Sequence, residues 1–295
     1  PNSVNKYNIE PGSSTLDIGH GDNITVYDLN NHGRAEVIVR IANGVRFGDG
    51  ATFSNPDNNR QFIAILNGMT GAMLANRAVP TNYLSDGPMN GHMGIAYLDG
   101  VNPSVIWSSK NRIGSGDFNM MVTAYTWRGG NVNLNWTFLR GNQNLPDGHN
   151  LRTADVDGNG TDEVIPFGYV LRPDGTLLHS LGSRGLVHGD RFQIGKFDPN
   201  RAGLQGYAIQ QNNSSGLAWA YYDARNGTIL QRQVAGVADY GRGLAGDFDS
   251  RQAGWEYWTF TDGMYNISGT RTSSALPDSY PNLRIFWDGD LLSEN

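Results

Sequence analysis

Cysteine is absent from this chain, so neither a disulfide framework nor a thiolate metal site is open to it. Lysine is nearly absent as well: Lys6, Lys110 and Lys196 are the only examples in 295 residues, and the formal net charge is −6. A phosphate backbone demands a dense basic surface, which excludes a nucleic-acid partner. Any anion bound here must be gripped locally by arginine. No apolar run approaches the ~18 residues that a membrane-spanning helix needs, so no membrane partner is expected. No long stretch keeps apolar residues at the helical period between caps, and no Gly-x-Ser-x-Gly elbow marks a serine hydrolase.

What the chain does have is 39 glycines, abundant Asn, Asp and Ser, and 11% aromatic residues. That composition describes many short strands joined by tight turns. A repeat runs through it, in which an apolar strand enters an acidic turn and a second strand leaves it. The copies centre on Asp28-Leu-Asn30, on Asp99-Gly, on Asp155-Val-Asp157-Gly-Asn159, on Asp198-Pro, on Asp247-Phe-Asp249 and on Asp288-Gly-Asp290. Their spacing of roughly 40–70 residues is that of a four-stranded propeller blade with variable loops. Further strands are expected at Gln61–Leu66, Met121–Trp127, Leu217–Tyr222 and Trp255–Phe260, and hairpin turns at Asp174-Gly175, Asn226-Gly227 and Asp262-Gly263. The expected fold is all-β: one β-propeller domain over residues 1–295 with seven blades, six or eight being the alternatives. The last copy stops close to Asn295, so either N-terminal strands close the ring or the natural protein continues further.

In the third copy, Asp155, Asp157, Asn159 and Glu163 offer hard oxygen donors at a spacing that can converge on a structural Ca²⁺. The alternative use of such side chains is to cap the turn through backbone amides. The first copy, with Asp28, Asn30, His32 and Glu36, has fewer carboxylates, and the copies at Asp198 and Asp249 carry Pro or Arg inside the loop, which favours capping there.

Of the six histidines, His20, His92, His149 and His188 lie within roughly ten residues upstream of an acidic turn, and Arg242 holds the equivalent place in the fifth copy. In a propeller the innermost strands all lead toward one face of the ring, so these side chains are expected to meet in a central funnel. His32 and His179 lack that placement and are expected to be structural. Asp147, Asp190, Arg152, Arg191, Tyr240, Trp127 and Trp136 lie around the same stretches. Aromatic faces with hydrogen-bonding groups suit sugar rings. Asn-x-Ser/Thr sequons at Asn23, Asn135, Asn226 and Asn266, and a first residue, Pro1, that is not an initiator Met, fit a processed, secreted, extracellular protein.

The strings Gly148-His149-Asn150-Leu151 leading into Asp155-Val-Asp157-Gly, Val187-His188-Gly189-Asp190, Gly241-Arg242-Gly243 leading into Asp247, Gly94-Ile-Ala-Tyr-Leu-Asp99-Gly, and Trp287-Asp288-Gly-Asp290-Leu-Leu resemble those of the propeller rhamnogalacturonan lyases. The resemblance implies an eight-bladed, calcium-binding propeller that cleaves rhamnogalacturonan I by β-elimination, with functional roles for His149, His188 and Arg242. Gln193 stands where that family has a further histidine, and the family's C-terminal Asn-Gly-Thr-Lys segment has no counterpart before Asn295. A smaller class of seven-bladed fungal lyases, which remove rhamnose from the glucuronate caps of arabinogalactan or gum arabic, is also similar in size. β-Elimination needs a counter-charge for the uronate carboxylate, a base for the C5 proton and an acid for the leaving oxygen. Arg242 suits the first task. His149, His188 and His92 suit the others, with His20, Asp190, Arg191 and Tyr240 expected on substrate. The expected partner is an acidic rhamnose-containing polysaccharide or oligosaccharide, handled by a monomer. The rival reading is a non-catalytic carbohydrate-binding or adhesion propeller.

Overall fold

Apolar runs such as Glu36–Ala42 and Leu217–Asp223, too continuous for strands with one wet face, become the middle strands of sheets that are covered on both sides. The computed structural model describes Gly21, residues 23–113, 117–211, 213–234, Tyr240, and residues 242–259 and 263–274. His20, Asp288 and Asp290 lie outside the described residues, as does Asp262 of the expected third hairpin turn.

Among the described residues the protein is all-β, apart from short 3₁₀ turns at Leu84–Asp86 and Gly182–Arg184. The first sheet contains β1 (Ile24–Tyr27), β2 (Glu36–Ala42), β3 (Gln61–Asn67) and β4 (Met73–Ala78), and the second contains β5 (Asn90–Ala96), β6 (Ser104–Ile113), β7 (Asp117–Arg128) and β8 (Asn131–Leu139). After a two-residue strand β9 (Asp147–Gly148), the third sheet is made of β10 (Leu151–Ala154), β11 (Glu163–Pro166), β12 (Tyr169–Leu171) and β13 (Leu177–Ser180). A second two-residue strand, β14 (His188–Gly189), precedes the fourth sheet of β15 (Arg191–Gly195), β16 (Gln205–Ile209), β17 (Leu217–Asp223) and β18 (Ile229–Val234). The fifth sheet is β19 (Gly243–Gly246), β20 (Glu256–Thr259), β21 (Met264–Tyr265) and β22 (Arg271–Ser273). In each sheet consecutive strands pair antiparallel in chain order. Gly175 and Gly227, with φ of 83° and 70°, make the tight turns expected of them.

Two compact units divide the chain, one reaching Gln143 and including Pro173–Gly175, the other holding Asn144–Arg172 and the chain from Thr176 onward. In the first unit the core joins Ile38, Ile63 and Ile65 of the first sheet to Met93, Trp107, Met121 and Tyr125 of the second. In the second unit one layer joins Ile165, Phe167 and Val170 to Phe192, Ala208 and Tyr222, and the next stacks Tyr207, Trp219 and Tyr221 against Tyr257. Burying such side chains contributes about 1.5–3 kcal/mol each, so sheet-on-sheet stacking is the main source of stability.

One device recurs where the turn leads into the second strand in four of the five sheets, the second sheet having Ser104 there instead. The first residue of that strand is Glu36, Glu163, Gln205 or Glu256, all buried. Its side-chain oxygen accepts a backbone N–H from Leu29, Val156, Asp198, or both Phe248 and Asp249, at 2.9–3.0 Å. The repeat legible in the sequence is therefore a turn latch. Asn23 departs from its expectation: it is buried, and its Oδ1 accepts from Gly91 N and Trp107 Nε1, so this sequon belongs to the core.

Candidate active site

Two tripeptides of opposite order, Asp147-Gly148-His149 and His188-Gly189-Asp190, come together in the second unit. Strands β9 and β14 carry them and pair in parallel, with Asp147 opposite His188 and Gly148 opposite Gly189. Since one string reverses the other, parallel pairing sets an imidazole beside a carboxylate twice. His188 Nδ1 meets Asp147 Oδ1, and His149 Nε2 lies 3.4 Å from Asp190 Oδ1. The two imidazoles then stand edge to face, with ring centroids 5.2 Å apart.

The glycines permit this arrangement, because alternate residues of a strand point to opposite faces. On the face away from the histidines they lie against Phe167, where a Cβ on Gly148 would run into that ring and one on Gly189 into the ring and the Ile209 carbonyl. Phe167 is itself buried in the core. Asp147 N donates to Val187 O, and Gln211 N donates to His188 O. Buried Gln210 locks the approach, accepting from Val187 N and His188 N and donating to the Gly185 and Leu217 carbonyls. Gln211 Nε2 holds Asp190 Oδ1 at 2.9 Å, and Asn150 Nδ2 donates to the Asp190 carbonyl.

Positive charge lies alongside. Arg191, the first residue of β15, donates from Nη1 to the Asp190 carbonyl at 3.4 Å. Burial, and then the positive charge of Arg242, pull the Arg191 pKa below its ordinary value, with Asp190 opposing them. With neutral imidazoles, two arginines and two carboxylates balance. A negatively charged ligand near the arginines would relieve the repulsion between them.

The structure thus brings together His149, His188, Asp190, Arg191 and, through its field on Arg191, Arg242. Tyr240 is 8% exposed, and its ring packs with the aromatic layer of Tyr207, Trp219 and Tyr257. His92 lies on β5 of the first unit, opposite Ser108. His179 Nε2 contacts the Ala224 carbonyl at 2.8 Å and burial lowers its pKa, while His32 spans Asp28 and Glu36. Gln210 and Gln211 escaped the sequence reading because they follow β16 in no recognisable string. The reversal of Asp-Gly-His into His-Gly-Asp was the legible signal for Asp147.

His149, His188 and Asp190 offer ligand atoms within 4.8 Å of one another, a donor set that could also hold a transition metal. The ring nitrogens that face carboxylates are used in two His–Asp pairs. In the third turn, carboxylate oxygens of Asp155, Asp157 and Glu163 lie within the same 4.8 Å limit. Burial, with Asp157 and Asp155 adding like charge, pushes Glu163 up to about 7. Three crowded carboxylates, one of them short of counter-charge, fit a hard cation such as Ca²⁺. Beside them, Asn159 Oδ1 accepts from Thr161, and its N–H donates to Asp155 and Asp157.

Compared with known proteins, residues 3–295 match the family model described as "Rhamnogalacturonan lyase family 11, C-terminal domain". The chain belongs to this family. Among family 11 relatives it is similar to the Bacillus subtilis (strain 168) proteins named rhamnogalacturonan endolyase YesW, at 34% identity, and rhamnogalacturonan exolyase YesX, at 32%. Each alignment covers 93% of this chain, against 47% of YesW and 49% of YesX. The family 11 chain therefore spans about half the length of these relatives. The crystal structure of YesW superposes with a TM-score of 0.82 at 32% identity, covering 92% of this chain and 49% of that one.

Proposed function

We propose that this chain carries a polysaccharide lyase site that cleaves rhamnogalacturonan by β-elimination at a uronate. The observation that carries the reading is the pair of histidines, each against its own carboxylate, beside Arg191 and Arg242. Family membership supports the substrate class.

Removal of the C5 proton places negative charge on the uronate carboxylate side, and arginine neutralises it. A carboxylate can only accept a hydrogen bond, so Asp147 holds the proton of neutral His188 on Nδ1 and leaves the Nε2 lone pair as the base. The C5 proton passes to that nitrogen, C4=C5 forms, and the C4–O4 bond breaks. The departing oxygen takes a proton from His149, which serves as this acid in its imidazolium form, with Asp190 as counter-charge, and is left neutral after the step. His92 and His20 are further candidates for substrate contact.

Among the described residues, five consecutive four-stranded meanders, stacked on their neighbours within each unit, support a propeller. Asp155, Asp157 and Glu163 would hold Ca²⁺ as a structural ion that neutralises the turn. A polysaccharide substrate is consistent with secretion and with a monomer.

The test is incubation of the chain with rhamnogalacturonan and, separately, with gum arabic, followed by the ultraviolet absorbance of unsaturated uronate. Absorbance with rhamnogalacturonan is expected. Absorbance with gum arabic alone would move the specificity to rhamnose–glucuronate caps, and binding of both without absorbance would make the chain a carbohydrate-binding module.

A further inference from the structure

Asp147 and Asp190 hold their histidines by different ring nitrogens. His188 meets Asp147 through Nδ1, and His149 faces Asp190 Oδ1 through Nε2 at 3.4 Å. An ionised carboxylate only accepts hydrogen bonds, so a neutral imidazole carries its proton on the nitrogen that faces it. His188 is then the Nδ1–H tautomer and His149 the Nε2–H tautomer. The two contacts differ in how firmly they are kept. Asp147 hydrogen-bonds His188 and its side chain is 12% exposed, whereas that of Asp190 is 23% exposed and its 3.4 Å contact is longer than a formed N–H···O bond.

One residue outside the two strings compensates. Gln211, just past β16, donates from Nε2 to Asp190 Oδ1 at 2.9 Å, and this is the same oxygen that faces His149. From this geometry we infer that Gln211 is a positioning residue, which acts through Asp190 to fix His149 as the Nε2–H tautomer, opposite to His188; the inference rests on the lyase reading only for the use made of the proton.

The Gln211 main chain already serves the fold, its N donating to the His188 carbonyl at 3.1 Å and its carbonyl accepting from Asn213 Nδ2 at 2.8 Å. The latch on β14 belongs to Gln210, whose side chain is spent on Val187, His188, Gly185 and Leu217. That leaves the Gln211 amide to orient Asp190. Its direction is settled by chemistry, since a carboxylate needs a donor and the amide must present its NH2 group. Asn150, next to His149, ties the other end of the same residue by donating from Nδ2 to the Asp190 carbonyl. In the elimination step, imidazolium His149 gives up its Nδ1 proton and keeps Nε2–H against Asp190, so the ring need not turn between donation and the neutral state.

The experiment is long-range ¹H–¹⁵N NMR of the histidine ring nitrogens at about pH 8.5, above the ordinary imidazole range, with His149 and His188 assigned from His149→Ala and His188→Ala. Wild type is expected to show opposed tautomers, Nε2–H for His149 and Nδ1–H for His188. Gln211→Met is expected to move the His149 nitrogens toward the average of the two tautomers and to leave those of His188 in place, with the thermal melt retained; Gln211→Leu gives the same result should the Met variant fail to fold. In the folded variant kcat on rhamnogalacturonan is expected to fall about tenfold, the worth of one hydrogen bond to a charged group, with KM within about twofold of wild type. Asp190→Asn with Gln211→Met is expected to be no slower than Asp190→Asn alone, because Gln211 acts through Asp190. A wild-type His149 protonated at Nδ1, or a His149 spectrum unchanged in the Gln211 variants, overturns the assignment. Opposed tautomers that respond to Gln211 in a chain releasing no unsaturated uronate would support the positioning role and defeat the lyase reading.

Discussion

His188 and Asp147 define what single side chains do in this site. Asp147→Asn keeps the shape but can present an N–H to His188 Nδ1, which favours the tautomer with its proton on Nε2 and removes the base. The rate of unsaturated-uronate formation is expected to fall by about 10²–10⁴-fold while the thermal melt is retained. A wild-type rate in this variant would leave Asp147 with a purely structural role. Glu256 offers a residue-scale test away from the site. Burial, with like charge from Asp247 and Asp249, lifts its carboxyl from 4.5 to about 7, and its Oε1 has no partner among the described residues. The folded state therefore binds this proton more tightly than the unfolded chain. Between about pH 4.5 and 7 the unfolded state loses the proton first, so stability falls as pH rises through that window. Gln205 makes the same latch in the fourth sheet without a charge. Glu256→Gln should accordingly flatten the pH dependence of the melting temperature and be at least as stable as wild type at pH 8. A lower melting temperature there would contradict this reading.

Among the elements, the acidic turns differ in how they meet their own charge. His32 bridges Asp28 and Glu36 in the first, and Arg251 pairs with Asp249 in the fifth at 2.7 Å. The third gathers three carboxylates, Asp155, Asp157 and Glu163, where the first has two and a histidine, so calcium is proposed for the third. Added Ca²⁺ should raise the stability of the unit by about 2.7 kcal/mol at a hundredfold excess over Kd, read as a calcium-dependent shift of the thermal transition that chelator reverses. Glu163→Gln should abolish most of the shift; an unchanged one would place the ion elsewhere. The strands themselves were legible because two-faced burial writes continuous apolar runs, as in Leu217–Asp223. The parallel contact of β9 with β14 was not, because two residues carry no periodicity and the partner lies some forty residues away. Their register still left a trace in the reversed tripeptides. The packing of Tyr240 was not legible for a related reason: an aromatic beside a functional string looks the same in sequence whichever way its ring faces.

Among the described residues, five meander sheets in chain order correspond to the first five of the six acidic-turn copies, and the superposition on YesW extends over 92% of the chain. A repeated fold carries chemistry by varying the residues around its strand ends. Here the variation is concentrated in the second unit, where two neighbouring sheets each begin with a tripeptide that completes the other. The most direct measurement compares initial rates of unsaturated-uronate release from rhamnogalacturonan by the wild type, His149→Ala, His188→Ala and the double variant. Histidines that serve one site as a unit give singles at least ~10³-fold slower than wild type and a double no slower than the worse single. Full activity in either single, or losses that multiply in the double, would contradict a shared site.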